Sequence, residues 1–569
     1  MIILGLHTGH DAGAAVFRDE KLVSFCKEER VSRIKNDGGF FALASIDEAL
    51  DAVGLTRKDV DVVALTRTRI PEHTFRKTSH PVQTLKRKLM PAPTRDLNLA
   101  GQMRKTGLDE TALIDQSLLR KALGVGPKTE IYFANHHYCH VAAAWYYTDW
   151  NEGLFLSCDG GGDYAQYSAY LDAGKGLECV LGGDETLKTP QNTGASIGLA
   201  YAFATEICGF MPNRHEGKLT GLAAFGKPIR AEQILGLWHI DKETGALSSE
   251  MQGAAALKQA LKSIFEGDSR EDVAASIQVA TESLLVEWVE TLRALHGGRY
   301  IGLSGGVFSN VRMNQKIAEL EGVDEVFVFP AMSDEGLPVG ACIDYWVNRL
   351  GNPVERERLT SLYFGRHYSG DDLLEAARQG GFRVEAGDEP ARQAADLIAQ
   401  GGVGAIFYGG MEMGPRALGA RSIVASPADR GVNDSINQRL QRTEFMPFAP
   451  FVREKDAQEL FDISDKNLYP SRFMTITTDV KDEWKSRIPA VVHVDGTARP
   501  QVIYREDNPL YYDVLTEFAA LTGLKSLVNT SFNAHEEPII NTPEEALAAL
   551  KDDRVDFLFC ESGLVFPGV

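Results

Sequence analysis

The chain of 569 residues has no stretch approaching the roughly 18 uninterrupted apolar residues of a membrane-spanning helix, although 44% of it is hydrophobic. No span is therefore expected. The opening MIILGLHTGHD has no basic region ahead of its apolar stretch, so it does not read as a signal peptide, and a cytoplasmic location is expected. Cysteine is sparse: Cys26, Cys139, Cys158, Cys179, Cys208, Cys342 and Cys560 are scattered, odd in number and never spaced C-x-x-C. That excludes a disulfide framework and a zinc knuckle as organising principles. Basic charge is in deficit. With 59 Lys and Arg against 79 Asp and Glu the formal charge is −20, which opposes attraction to a phosphate backbone and argues against nucleic acid as a partner. Neither G-x-x-x-x-G-K-[ST] nor G-x-G-x-x-G occurs, which disfavours a P-loop and a dinucleotide Rossmann site.

A chain of this length exceeds a single hydrophobic core, so two large domains are expected. The polar stretch VNRLGNPVERERLTSLYF, with Gly351 and Pro353, puts the boundary near residues 350–360 and the domains at 1–352 and 353–569. In the first, IILGLH, AGAAVF and KLVSFC read as a strand meander. GLFLSCD, the loop Gly160-Gly161-Gly162-Asp163 and YAQYSAYLDA repeat that pattern, and a hairpin occurring twice suggests a duplicated α/β unit with nucleotide held between its halves. Residues 254–296 read as helical, followed by strands at RYIGLS and VDEVFVFP. The second domain shows helices at DDLLEAARQG and ARQAADLIAQG and strands at VGAIFYG and FMTITTDV. One segment is locally basic: residues 67–105 carry ten Lys and Arg against Glu72 and Asp96. It reads as a solvated insertion, or as a rim attracting an anionic substrate.

Several constellations bear chemistry. His136 and His140 in NHHYCHVAAAWYY stand four apart, so both imidazoles project from one helix face. Asp159 closes the strand FLSCD and Asp334 sits in the loop MSDEG; two imidazoles with such carboxylates suit Fe(II), Zn²⁺ or Mn²⁺. Glycine turns at 160–162, 305–306 and 409–410 follow strands and let backbone N–H groups approach a phosphate. The second domain gathers Arg416 and Arg421 around Glu412, then Arg439, Arg442, His493 and Arg499, and finally Asn529, Asn533 and His535. Arginines recurring in short turn-forming segments point to an anion pocket.

In the segments GHDAGAAV, NHHYCHVAAA, CDGGGD, EGKLTGLAAFG, LSGGVFSN, DEGLPVGA, GPRALGARSI, RTEFMPFAPF, HVDGTARPQ and NTSFNAHEEPI the sequence resembles the O-carbamoyltransferases of antibiotic and nodulation-factor biosynthesis. The likeness runs in order from residue 9 to about 540. It implies an actin-like N-terminal domain of sugar-kinase and heat-shock-protein type, fused to an α/β domain resembling threonylcarbamoyl-adenylate synthase. By this resemblance, carbamoyl phosphate and ATP, the latter with Mg²⁺, form carbamoyl adenylate in the C-terminal domain. The carbamoyl group then passes to a hydroxyl of a small-molecule natural product. The resemblance places His10 as base, and Lys218 near the phosphates or acceptor. It assigns His136, His140 and Asp334 to the metal, with Fe(II) favoured, and Asp159 as a ligand or its orienter. Gly160, Gly161, Gly305, Gly306 and Asn310 fall at the nucleotide, and Arg416, Arg499 and Asn533 at the carbamoyl phosphate and adenylate. Leu440 and Met446 stand where some relatives have Lys and Arg, and His535 where one has Arg, so Arg439 or Arg442 is expected to supply that charge, or the phosphate is held differently. A tRNA threonylcarbamoyl transferase would share both modules, but the net charge of −20 opposes it. An actin-like kinase or scaffold would leave the C-terminal arginines unexplained. A homodimer is the default oligomer.

Overall fold

The computed structural model describes residues 1–38, 41, 43–76, 96–442 and 448–568. The N-terminal part holds two five-stranded sheets of one design. In the first, the order is Lys21–Lys27, Gly13–Arg18, Ile2–His7, Val62–Thr66 and Glu130–Ala134. In the second it is Leu177–Leu181, Ala165–Asp172, Gly153–Gly162, Tyr300–Ser304 and Glu325–Val328. Each sheet is an antiparallel meander of three strands whose first strand also pairs in parallel with a fourth, and the fourth in parallel with a fifth, added in sequence order. This is the duplicated α/β unit expected from the repeated hairpin, in the actin-like form that the resemblance implies.

Burial explains why the halves close on each other. All eleven residues of helix His136–Tyr146 and all eight of helix Leu337–Asp344 are buried. Their contact is backbone-close: a Cβ on Gly340 would lie 1.9 Å from the Cys139 carbonyl oxygen, so only glycine allows it. The expected long helix over 254–296 is two helices, Ala254–Ile264 and Arg270–His296, the second capped by the Ser269 side chain.

The C-terminal part is an α/β unit around an eight-stranded mixed sheet. Its order is Arg383–Ala386, Gly563–Phe566, Phe557–Cys560, Gly404–Phe407, Arg421–Ala425, Ser526–Ser531, Ala449–Arg453 and Gln501–Ile503. The strand expected at FMTITTDV is reduced to Thr478–Asp479. The preceding residues instead fill the seam between the two parts: Phe473 and Met474, the latter at φ 55°, join one apolar cluster with Phe327, Phe329 and Leu337. Leu359 and Leu362 of the connecting stretch enter the same cluster, and Phe25 N donates to the Phe364 carbonyl at 3.0 Å. The two parts thus share a core, and their functional loops meet.

Candidate active site

Strand Glu130–Ala134 ends at Asn135, whose side chain accepts from Tyr138 N at 2.9 Å and caps the helix that follows. The helix begins at His136, so His136 and His140 lie one turn apart with ring centroids 4.9 Å from each other. Asp159 and Asp334 approach them from the second half. His136 Nε2 is 3.2 Å from Asp159 Oδ2 and 3.5 Å from Asp334 Oδ1, and His140 Nε2 is 3.5 Å from each of the same oxygens. The four ligand atoms lie within 4.8 Å of one another.

Two observations fit this cluster to a cation. His140 Nε2 and Asp334 Oδ1 are buried without a hydrogen bond, which leaves them aimed at a common space. Protonation reports the same field: burial opposes charge on His140, yet Asp159 and Asp334 raise its pKa to about 9. Burial likewise opposes ionisation of Asp159, and the two imidazoles nevertheless hold it well below the ordinary carboxylate range. Two nitrogen and two oxygen donors suit a divalent transition metal.

The glycine turns frame this cluster. A Cβ on Gly162 would fall 2.2–2.5 Å from ring atoms of His136, so this glycine makes room for a ligand. Gly306 N donates to Asp159 Oδ1 at 3.3 Å, and Gly305, at φ 102°, donates to the Met332 carbonyl at 2.6 Å. Gly160 and Gly161 are exposed at the hairpin tip, and nothing lies within 4 Å of a Cβ on Gly160. Asn310 is buried, capping helix Val311–Ala318 while its amide nitrogen donates to Gln278 Oε1 at 2.8 Å.

His10 occupies the equivalent turn of the first hairpin, with its side chain 40% exposed. Its Nδ1 is 3.2 Å from Asp11 Oδ2, and its Nε2 is 3.1 Å from the Asn213 carbonyl. The bond to Asp11, against the cost of burial and with help from the charges of Asp11 and Asp334, raises its pKa to about 9. Lys218 is half-buried on helix Glu216–Leu222, in the segment that follows Asn213.

In the C-terminal part, Arg416 and Arg499 act on each other as like charges. Burial, and after it Arg416, pushes Arg499 well below the usual arginine range, and its Nε is buried with no hydrogen bond. Burial lowers Arg416 too, the one opposing charge being Glu335 of the N-terminal part. The remaining cations are spent. Arg421 is 0% exposed, donates to the carbonyls of Tyr408, Gly409, Ala420 and Asn541, and lies over the Phe407 ring. Arg442 donates to Thr530, Ser531 and Asn533, while Arg439 pairs with Asp556 and Asp553. Leu440 is core, and Met446 lies outside the described residues. Asn529 is buried and donates to the Ala417 carbonyl at 3.0 Å and to Gln501 at 2.8 Å. Asn533 donates to the Ala534 and Glu537 carbonyls, and His535 stands 3.7 Å from Glu536. Glu412 shapes the arginine loop by accepting from the backbone N–H groups of Leu418, Ala420 and Arg421 at 2.8–3.0 Å.

The family model described as Carbamoyltransferase N-terminus matches residues 2–343, and that described as Carbamoyltransferase C-terminus matches residues 395–566. The chain belongs to the carbamoyltransferase family. It is a transferase. Among curated relatives it is 31% identical to nodulation protein NolNO of Sinorhizobium fredii, over 98% of this chain and 79% of that one. It is 34% identical to an uncharacterized protein of Methanocaldococcus jannaschii, over 77% and 74%. Nodulation protein NolO of Bradyrhizobium diazoefficiens is 32% identical over 74% and 77%.

The basic segment of this carbamoyltransferase is only partly a solvated rim. Arg67 is buried and pairs with Asp184, and its Nη1 stands 3.8 Å from Asp163, whose carboxylate in turn accepts from His136 N at 2.9 Å. Arg104 donates to the Leu187 and Lys188 carbonyls, and Arg76 to that of Ile114. Lys77, Lys86, Arg87, Lys88 and Arg95 lie outside the described residues.

Four residues of the site are not singled out by the sequence, Asp11 and Glu335 lying within the segments GHDAGAAV and DEGLPVGA and His7 and Lys27 outside the segments that carry the resemblance. His7 is buried at the end of the first strand, with Nδ1 2.8 Å from Thr66 Oγ1 and Nε2 3.5 Å from Asp334 Oδ2. Asp11, Lys27 and Glu335 form a buried ionic group beneath His10. Only the adjacency of Asp11 to His10 and of Glu335 to Asp334 hinted at them.

Proposed function

We propose that this carbamoyltransferase is ATP-dependent and works in two half-reactions. In the first, carbamoyl phosphate and water yield carbamate and phosphate, and the carbamate attacks the α-phosphorus of ATP, releasing pyrophosphate and leaving carbamoyl adenylate. In the second, a hydroxyl of a small-molecule acceptor attacks the carbamoyl carbon, AMP departs, and the hydroxyl proton goes to a base. The resemblance to the O-carbamoyltransferases of antibiotic and nodulation-factor biosynthesis favours a hydroxylated natural product as acceptor.

The observation that carries this reading is the Arg416–Arg499 pair. Arg416 and Arg499 are half-buried and act on each other as like charges, with Arg499 Nε buried without a hydrogen bond and no carboxylate paired to Arg499 among the described residues, an arrangement that is costly unless an anion joins them. Phosphate oxygens suit their forked donors. Charge moving onto those oxygens during adenylate formation is stabilised without reorganisation. Glu335, the acidic neighbour of Arg416, follows Asp334 directly, which puts the arginine pair and the His–Asp cluster on either side of one turn. Transfer between neighbouring sites would protect a mixed anhydride from water.

His136, His140, Asp159 and Asp334 would hold the metal, with Fe(II) favoured, which when bound supplies positive charge to phosphate or carbonyl oxygens. His10 stands on the acceptor side: Asp11 orients its ring, and loss of the Nε2 proton, which breaks the bond to the Asn213 carbonyl, frees the lone pair that takes the hydroxyl proton. Lys218 and the tips Gly160 and Gly161 would line the same space.

The test is exchange of labelled pyrophosphate into ATP. Exchange that depends on carbamoyl phosphate supports adenylate formation; its absence with active protein would overturn the first half-reaction.

A further inference from the structure

Lys27 ends the third strand and is 4% exposed, an unusual place for an ammonium group. Three carboxylates converge on it: Asp11 at 3.2 Å, Glu335 at 3.4 Å and Glu29 at 3.7 Å. Asp11 and Glu335 belong to two different turns, and Glu29 lies in the helix Glu28–Ser32 that directly follows Lys27. Asp11 holds the ring of His10, and its backbone, at φ 55°, adopts a left-handed conformation that aims its carboxylate where both Lys27 Nζ and Asn36 Nδ2 reach it, the latter at 2.8 Å. Glu335 follows the metal-site carboxylate Asp334 in the turn Asp334–Gly336. Glu29 is shared with Arg30 at 3.1 Å, and Arg30 Nη2 donates to the Gly414 carbonyl of the arginine loop, also at 3.1 Å.

Without the ammonium, Asp11 and Glu335 would be two buried like charges forced together, and one turn or the other would have to move. Glu29 is better provided, since Arg30 and Lys35 also face it, the latter at 3.5 Å. We infer that Lys27 is a positioning residue: through Asp11 it fixes the imidazole of His10, and through Glu335 it fixes the turn that presents Asp334 to the metal. The inference rests on the reading of His10 and the His–Asp cluster given above.

The groups facing His10 are Asp11 on its own turn, Asp334, and Glu216 with the Asn213 carbonyl on the following segment. Those facing Asp11 are His10, Lys27, Lys35, Asn36 and Glu335. Removing the ammonium leaves Asp11 to act on the imidazolium without competition, so His10 should hold its proton to higher pH.

The experiment uses the full chain, stripped of metal and titrated with Co²⁺, whose visible absorption reports the ligand set. Lys27→Met should weaken Co²⁺ binding by about 10- to 100-fold, as expected when the support of a ligand is lost. It should also raise the pH midpoint at which diethyl pyrocarbonate modifies His10, read on the His10 peptide by mass spectrometry. Lys27→Arg should restore most of both. A purely structural role would lower the melting temperature and leave these readouts in place. If Lys27→Met does not fold, Lys27→Met/Glu335→Gln removes one charge of each sign and should still lose Co²⁺ affinity and shift His10. A folded variant with wild-type Co²⁺ affinity and an unmoved His10 midpoint overturns the inference. Wild-type protein that takes up no Co²⁺ would instead sink the metal reading, and the His10 midpoint would then decide the role through Asp11.

Discussion

Asp334 and Glu335 are consecutive in the chain and serve two different sites. Asp334 completes the His136–His140 cluster, while Glu335 binds Lys27 and is the acidic neighbour of Arg416 from the C-terminal part. A displacement of this one turn therefore reaches both the His–Asp cluster and the surroundings of Arg416, the proposed metal and anion sites.

Removal of a ligand should separate the two half-reactions. His136→Ala or Asp334→Ala is expected to abolish metal uptake and carbamoyl transfer, with pyrophosphate exchange retained. Elemental analysis of the purified variants checks it, and full occupancy in both would displace the metal site from these residues.

The Arg416–Arg499 pair should trade stability for function. Arg499→Met removes a buried cation that faces another cation, so the melting temperature should rise, by about 2–4 °C if the relief is about 1 kcal/mol. Pyrophosphate exchange should fall by the equivalent of about 2–4 kcal/mol of lost transition-state stabilisation. Calorimetry and exchange on one preparation test both. A variant that is less stable than wild type and still exchanges would show that Arg499 is a structural cation.

The acceptor step should carry the titration of His10. A base must be unprotonated, and a histidine with its pKa raised to about 9 by Asp11 is mostly charged at neutral pH. Transfer should therefore climb about tenfold per unit from pH 7 and level off above 9. Asp11→Asn removes the group that raises the pKa, so the rising limb should move toward the ordinary value of 6.5. A limb that stays in place would assign the titration elsewhere.

Two glycines of one loop should behave differently. Gly162→Ala puts a methyl group 2.2–2.5 Å from the His136 ring and should cost metal binding. Gly160→Ala meets no neighbour within 4 Å, so fold and metal content should survive, and any loss should appear as a raised KM for the ligand that approaches this tip. Equal effects on metal content would contradict this division.

Much of this arrangement is legible in the sequence where local rules act. The two hairpins announce the duplicated sheets, and the four-residue spacing of His136 and His140 on an Asn-capped helix locates the cluster. What could not be read depends on distant partners. Arg416, Arg421, Arg439, Arg442 and Arg499 look alike in turn-rich segments, yet Arg421 bonds four carbonyl groups in the core and Arg439 pairs with Asp556. Which arginine is left for a ligand is set by strands far along the chain. FMTITTDV has the composition of a strand, but Phe473 and Met474 are drawn into the seam between the two parts. Lys27 is silent for the same reason, since Asp11 and Glu335 reach it from two other turns.

The most direct test of the central claim, that adenylate formation and transfer occupy two facing sites of one chain, is carbamoyl phosphate-dependent pyrophosphate exchange measured side by side in His10→Asn and Arg499→Ala. The account predicts near wild-type exchange in His10→Asn, with transfer reduced by about 10²- to 10⁴-fold, and steeply reduced exchange in Arg499→Ala. Loss of exchange in His10→Asn, or its survival in Arg499→Ala, would contradict it.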